Sequence, residues 1–287
     1  MEHAVKVWQI LDILKVTESA LRDRGIRNPR LNAELLLCDT LKCRRIELYL
    51  DFEKPLNNSE ISEYRDKVKR RLKHEPLQYI LGKAEFFGLT FRVSPAVLIP
   101  RQETEILVEE VIKNISGMRQ ARVLEIGTGS GCISIALASK LDCAIDAIDI
   151  SPEALEIAKE NSDLNKTSDK INFIQKDILT GYEDLEGYDV IISNPPYIPG
   201  KEMESLDDEV RMYEPGIALT DSGDGMTFYR RILELGVKTK HKIKIFMELG
   251  DRHAGAIQAL LKKMDITAYS IKADLMKIPR VLIVEIN

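Results

Sequence analysis

At 287 residues, with 44% apolar and 30% charged side chains, the chain can bury a sizeable core and is too apolar to be disordered; at about 150 residues per domain, two domains are expected. A net charge of −5 offers little generic attraction to phosphates, which argues against a dedicated DNA binder. No uninterrupted apolar run approaches the ~20 residues of a membrane span, and the opening MEHAVKVWQI lacks the basic start and long apolar stretch of an export signal, so a cytoplasmic protein without membrane contact is expected; a monomer is the separate expectation for its assembly.

In chain order, the first 80 residues read as helix throughout. They hold 16 basic against 13 acidic side chains, a net +3, whereas the remaining 207 carry 25 against 33, a net −8. Val7, Ile10, Leu11 and Leu14 repeat at helical spacing. Asn28 stands as a capping side chain before Pro29 at a first helical position, and Asn57, Asn58 and Ser59 offer a second cap. Residues 85–93, EFFGLTFRV, alternate around Gly88 as a short hairpin would, and after Pro100 a helix starts near Glu103. From 121 onward strand and helix alternate, ending in two strands, ITAYSIKA and RVLIVEI, with a short connection. The expected fold is therefore α/β, a Rossmann-like doubly wound, mostly parallel sheet with an antiparallel edge hairpin, preceded by a small N-terminal helical bundle. The domain reading is 1–80 helical, 81–100 hairpin linker and 101–287 for the α/β unit. The four cysteines, Cys38, Cys43, Cys132 and Cys143, form no C-x-x-C pair and read as buried apolar thiols, not as a zinc site or disulfide framework.

Two loops carry the chemistry. Glu125-Ile-Gly127-Thr128-Gly129-Ser130-Gly131 sits where the first strand of the α/β unit turns into its first helix, and its glycines let the backbone approach a ligand closely. A dinucleotide fingerprint would need a third glycine at 132, which is Cys132, and no Lys-Ser/Thr pair marks a P-loop; a nucleoside without a pyrophosphate fits better. Asp149 ends the second strand, where a carboxylate can accept both ribose hydroxyl hydrogens. Asp146, three residues earlier, should point to the opposite face. Asp177 ends the third strand, either as a partner for the adenine amino group or as a turn cap.

The second loop is Asn194-Pro195-Pro196-Tyr197, directly after the apolar strand DVIIS. Two prolines remove two donors and fix two φ angles, leaving a stiff corner of carbonyls plus one side-chain amide, an acceptor pair suited to an NH2 group. Tyr197 adds a flat face for a planar group. Such a cleft suits methyl transfer from S-adenosylmethionine to an amide nitrogen, with Asn194 and the Pro195 carbonyl orienting the nitrogen. No strong base is needed before transfer, in keeping with the position of His3, His74, His241 and His253 elsewhere in the sequence.

On these residues the chain resembles the N5-glutamine methyltransferases that modify peptide chain release factors. The resemblance runs over nearly its full length. Leu98-Ile99-Pro100-Arg101-Gln102-Glu103-Thr104-Glu105 is similar to that family's signature, although Gln102 stands where proline is common. Tyr213-Glu214-Pro215, Gly223-Asp224-Gly225, Tyr229-Arg230, Met247-Glu248-Leu249-Gly250 and Arg280-Val281 are similar as well. The resemblance implies methylation of the glutamine in the Gly-Gly-Gln tripeptide of class 1 release factors, acting on translation termination. It places S-adenosylmethionine, and the product S-adenosylhomocysteine, against Gly127 to Gly131 and Asp149, with Ile178 beside the adenine where some members carry an aromatic. It gives Asn194, Pro195, Pro196 and Tyr197 the glutamine, and Asn194 the cofactor too. Adenine-N6 DNA methyltransferases share the Asn-Pro-Pro-Tyr motif, but the acidic catalytic half stands against that reading. A ribosomal-protein glutamine methyltransferase is disfavoured by the N-terminal domain and the 213–230 segment. Of two charge clusters, the basic 65–73 stretch reads as a solvated surface or as a docking site for an acidic patch, and the acidic 202–209 stretch as a means of steering a basic substrate loop.

Overall fold

The computed structural model describes residues 7–118 and 120–286; His3 lies outside them. The chain divides into two compact units, the first comprising the described residues through Gly82 with Asp208–Tyr213, the second Lys83–Asp207 with Glu214 onward. The hairpin region expected as a linker thus belongs to the second unit from Lys83 on, and a short helix from the acidic stretch belongs to the first.

The helical unit contains α1 (Ile10–Asp23), α2 (Pro29–Leu41), α3 (Arg45–Leu50), α4 (Asn58–Arg71) and α5 (Leu77–Leu81). α2 is its centre: Ala33, Leu36, Leu37 and Cys38 are buried along with the polar Asn32, Glu34 and Thr40. Buried Glu34 is held by Arg30 (2.5 Å), Arg45 (2.6 Å) and the Tyr49 hydroxyl (2.5 Å), so its charge is paired and not stranded. Asn57 caps α4, accepting from the Glu60 amide at 2.9 Å while Glu60 accepts from the Asn57 amide at 2.8 Å. Asn28 differs from expectation. Its φ of 50° is left-handed and its side chain makes no cap bond. The residue before a proline is pushed out of the right-handed helical region, and asparagine tolerates the left-handed one. Asn32 on the first turn donates to the Arg27 and Asn28 carbonyls at 3.0 Å each, which ties the bend to the helix without supplying the missing cap acceptor.

The second unit opens with the hairpin β1 (Lys83–Phe86) and β2 (Leu89–Arg92), whose two turn residues Phe87 and Gly88 both have positive φ, 52° and 73°. Then follow α6 (Gln102–Ile115), β3 (Ala121–Ile126), α7 (Cys132–Lys140), β4 (Cys143–Asp149), α8 (Pro152–Leu164), β5 (Ile171–Gln175) and β6 (Val190–Ser193). After β6 come a 3-10 turn (Gly200–Ser205), α9 (Asp208–Tyr213, the helix of the first unit), α10 (Gly216–Leu219), α11 (Thr227–Lys238), β7 (Ile243–Glu248), α12 (Ala254–Lys263), β8 (Tyr269–Ala273) and β9 (Pro279–Ile286). The short turns between 200 and 219 carry no sequence periodicity and were not expected as helix.

Strands β3 to β9 form one seven-stranded sheet of order β5-β4-β3-β6-β7-β9-β8, parallel except for β9, which pairs antiparallel with β7 and β8. This is the doubly wound sheet with an antiparallel edge that the sequence implied. Alternate side chains feed two cores. Val123, Ile145, Ile192 and Phe246 meet Leu107 and Val111 of α6 and Ile133 and Leu137 of α7. Leu124, Ile191, Ile245 and Leu282 meet Tyr229 and Leu233 of α11 and Ile257 and Leu261 of α12. With both faces covered, the strands read as near-continuous apolar runs, which is why they were legible. The winding reverses between β3 and β6, so the ends of these two strands face an open crevice.

Candidate active site

Ile126 and Ser193 are register partners, and the Ser193 hydroxyl donates to the Ile126 carbonyl at 2.8 Å. The two residues that follow, Gly127 and Asn194, therefore leave neighbouring strand ends side by side. Between the loops they begin lies a cavity of about 620 Å³, lined by Gly127, Thr128, Gly129 and Ser130, by Asp149, Asp177 and Ile178, and by Asn194, Pro195 and Pro196. That volume suits a drug-sized ligand, and the lining is largely apolar with a few polar groups.

The glycine turn is built from backbone conformations that side chains avoid: φ is 73° at Gly127 and 54° at Gly129, and a Cβ at either would meet no atom within 4 Å. Gly131 shares that conformation, with φ of 79°, but does not line the cavity; a Cβ there would stand 3.0 Å from Ile135 Cδ1 and 3.2 Å from the Cβ of Ala158, so its smallness also serves the packing of α7 on α8. Glu125 holds the turn from below. One oxygen accepts from the Thr128 hydroxyl at 2.7 Å and from both the amide (3.2 Å) and hydroxyl of Ser134; the other has no partner. Burial pushes this carboxyl up to about 7 against those donors.

Asp149 accepts from the Gly129 amide at 2.8 Å and the Ser151 amide at 3.0 Å, which aims it along the turn while lone pairs remain on both oxygens. Asp146 turns away from the cavity, to Asn172 (3.0 Å) and the Tyr188 hydroxyl (2.8 Å). Asp177 caps its own turn through the Leu179 amide (2.8 Å) and the Thr180 hydroxyl (3.2 Å), as one reading of it expected, and it also lines the cavity. Ile178 is buried at the wall.

On the opposite side, Asn194 Nδ2 donates to Thr104 Oγ1 at 3.2 Å, and Thr104 Oγ1 donates to Glu248 Oε2 at 2.6 Å. Tyr197 does not line the cavity. Its hydroxyl stands 3.5 Å from Glu248 Oε1, and its ring lies 5.9 Å from that of His253. A Cβ added at Gly250 would stand 2.8 Å from the Tyr197 ring, and one at Gly225 would run into the Tyr197 carbonyl. The ring that the sequence suggested as a stacking platform is thus boxed in beneath the corner. A histidine, His253, also packs beside the motif, contrary to the reading of all four as remote. Burial, reinforced by Glu248, pushes the Tyr197 phenol far above its usual range. Burial likewise raises Glu248 to about 7, with Glu103 adding to the effect and Thr104 and Arg280 opposing it.

Two of the remote motifs meet here. Glu214 accepts from the Ile99 amide at 3.2 Å and pairs with Arg101, tying the 98–105 segment to the 213–215 segment. Asp221, a cavity-lining residue, accepts from the amides of Gly223 (2.8 Å), Gly225 (3.0 Å) and Thr227 (3.0 Å); burial pushes its carboxyl up, but these donors carry it below the usual range. Thr104, Glu248 and Glu214 each stand in a motif that resembles the family's, but nothing local to those motifs shows what each side chain does. A glutamate closing the apolar strand next to β6 was the available signal for Glu248.

A switch-point cavity bounded by a glycine turn on β3 and an Asn-Pro-Pro-Tyr corner on β6 places the second unit among the Rossmann-like methyltransferases. The catalytic domain of hMettl16 shares that fold, with a TM-score of 0.57 at 18% identity over 76% of this chain and 81% of that one. A family model described as the PrmC N-terminal domain matches residues 12–82, and one described as the methyltransferase small domain matches residues 101–222. The chain is 42% identical to the release factor glutamine methyltransferase of Chlorobaculum tepidum over 236 residues, 79% of this chain and 80% of that one. Over 234 residues it is 42% identical to the protein of the same name from Geobacter sulfurreducens, covering 81% of each. The chain belongs to the release factor glutamine methyltransferase family.

Proposed function

We propose that the protein transfers a methyl group from S-adenosylmethionine to the side-chain amide nitrogen of the glutamine in the Gly-Gly-Gln motif of class 1 release factors. The observation that carries this reading is the Asn194–Pro195 corner standing beside the glycine turn across one shared cavity. The residues suit the cofactor: two open glycines leave room for close approach, Asp149 keeps lone pairs for ribose hydroxyls, and Ile178 offers an apolar wall. When bound, S-adenosylmethionine supplies an electrophilic methyl on its sulfonium.

The chain's own part is positioning. The Asn194 Oδ1 and the Pro195 carbonyl accept the two amide hydrogens of the glutamine, which orients its nitrogen and pushes electron density onto it. Pro195 and Pro196 bring no backbone N–H into the corner, so nothing there competes for the nitrogen's lone pair. Held in this way, the glutamine nitrogen would take the methyl, the bonding pair of the sulfur–methyl bond staying on sulfur, and one amide proton, made acidic by the transfer, would leave to solvent. The cofactor is held by Gly127, Thr128, Gly129, Ser130, Asp149 and Ile178, with Gly131 allowing the close packing behind the turn. Tyr197 supports the corner from below. The helical unit serves as the docking element for the release factor, and the protein acts in the cytoplasm as a monomer without binding DNA.

Incubating the protein with S-adenosylmethionine and a release factor, followed by mass spectrometry, should show one added methyl group on the Gly-Gly-Gln glutamine. Asn194→Ala should lower the rate by roughly 100-fold or more while leaving the melting temperature near that of the parent. Methylation at any other residue, or full activity in Asn194→Ala, contradicts the proposal.

A further inference from the structure

We propose that Thr104, held by Glu248, decides which end of the Asn194 carboxamide faces the cavity, and so makes Asn194 an acceptor for the substrate NH2 group. This deepens the proposed function and rests on it. A carboxamide has an acceptor end and a donor end of nearly the same shape, so space alone does not choose between them. A reversed Asn194 would set its own NH2 against that of the glutamine, donor against donor.

The choice is made by one hydrogen. Thr104 and Glu248 are each only 2% exposed, so neither can satisfy itself with bulk water. An ionised carboxylate only accepts, and at 2.6 Å the Thr104 hydroxyl must spend its single hydrogen on Glu248 Oε2. What Thr104 then presents to Asn194 is lone pairs. Only the Nδ2 end bonds to them, at 3.2 Å, which turns Oδ1 the other way. Thr104 and Asn194 line the cavity and Glu248 does not, so the carboxylate acts through the hydroxyl. Glu248 is itself fixed: the Tyr229 hydroxyl donates to its backbone carbonyl at 2.7 Å, and the Tyr197 hydroxyl lies at its second oxygen. Thr104 and Glu248 are positioning residues.

Protonating Glu248 would add a donor that competes for the Thr104 oxygen. Burial raises this carboxyl to about 7, so the orienting form gains population as pH rises through neutrality. The charged and titratable groups facing it are Glu103 on α6, Cys132 at the start of α7, Tyr197 after β6, Tyr229 on α11 and Arg280 on β9, with His253 behind the two tyrosines.

The test compares Thr104→Val, Thr104→Ser and Glu248→Gln with the parent chain, using a release factor as substrate. Thr104→Val should lose roughly 10- to 100-fold in kcat, with KM for the release factor and the dissociation constant for S-adenosylhomocysteine within about threefold. Thr104→Ser should restore kcat to within about threefold. In nitrogen-resolved NMR, the side-chain NH2 signals of Asn194, assigned by their loss in Asn194→Ala, should move in Thr104→Val and stay put in Thr104→Ser. Retained kcat in Thr104→Val, an equal loss in Thr104→Ser, or Asn194 signals unmoved by Thr104→Val overturns the inference. Should Thr104→Val fail to fold, Glu248→Gln decides: its kcat should stay flat between about pH 6 and pH 8, where that of the parent rises, and a profile like the parent's overturns the idea. A parent chain inactive on release factors contradicts the proposed function instead, and the NMR comparison still judges this inference.

Discussion

Four carboxylates around the cavity show how environment assigns different work to one functional group. Asp149 and Asp221 accept from backbone amides and hold loops in place. Glu125 and Glu248 are buried, and both are raised to about 7. For Glu125 the consequence is one of stability. Its native value lies above the ordinary 4.5, so the folded chain keeps a proton that the unfolded chain has given up. The stability this contributes is complete below about 4.5 and is lost as pH rises to about 7. Chemical denaturation at pH values on either side of that window should show the parent chain losing up to about 3 kcal/mol more than Glu125→Gln. Equal losses in the two proteins would mean that Glu125 titrates in the folded chain as it does in the unfolded one.

The elements bring the corner to the crevice, but loops from three other places hold it there. The Tyr197 carbonyl sits against Gly225, the Tyr197 ring against Gly250, and the Ile198 amide donates to the Leu219 carbonyl at 2.9 Å. Gly225 has φ of 78° and no room for a Cβ beside the Tyr197 carbonyl. Gly225→Ala should therefore strain the backbone by roughly 1–3 kcal/mol and shift the corner. The expected outcome is a melting temperature several degrees lower and a kcat reduced by at least about tenfold, with cofactor affinity, measured by calorimetry, nearly unchanged. A variant with parental kcat would show that the corner holds its shape without this contact.

At the scale of the whole molecule, the uneven charge is largely spoken for. Within the basic stretch, Lys67 pairs with Asp39 (2.5 Å) and Glu63 (2.8 Å), Lys69 with Asp66 (2.8 Å), Arg70 with Glu75 (2.5 Å) and Arg71 with Glu209 (2.5 Å), while Arg65 lies over the Trp8 ring. Such pairing favours the reading of 65–73 as a solvated, internally tied surface over a docking patch. Of the acidic stretch, Asp208 pairs with Arg211 and Glu209 with Arg71. Glu202 and Glu204, on the 3-10 turn that follows Tyr197, are the better candidates for steering a basic loop. Reversing both to lysine should slow association with the release factor several-fold at low ionic strength, with the difference fading at high salt and cofactor affinity constant. A stopped-flow rate indifferent to salt and to both substitutions would remove them from the encounter.

The alternation of strand and helix, the doubly wound sheet and the two loops at its switch point were legible in the sequence. Apolar runs, caps and glycine or proline dihedral limits are properties of consecutive residues and survive without knowledge of the partner. Asn28, the helix at Asp208–Tyr213, the boxed ring of Tyr197 and the nearness of His253 were not legible, because each depends on what packs alongside. The clearest case is the string from Asn194 to Thr104 to Glu248, whose links span 90 and 144 residues. Local pattern determined that an amide would stand at the end of β6; only folding, by bringing a distant hydroxyl and a buried carboxylate beside it, decided which end of that amide looks into the cavity.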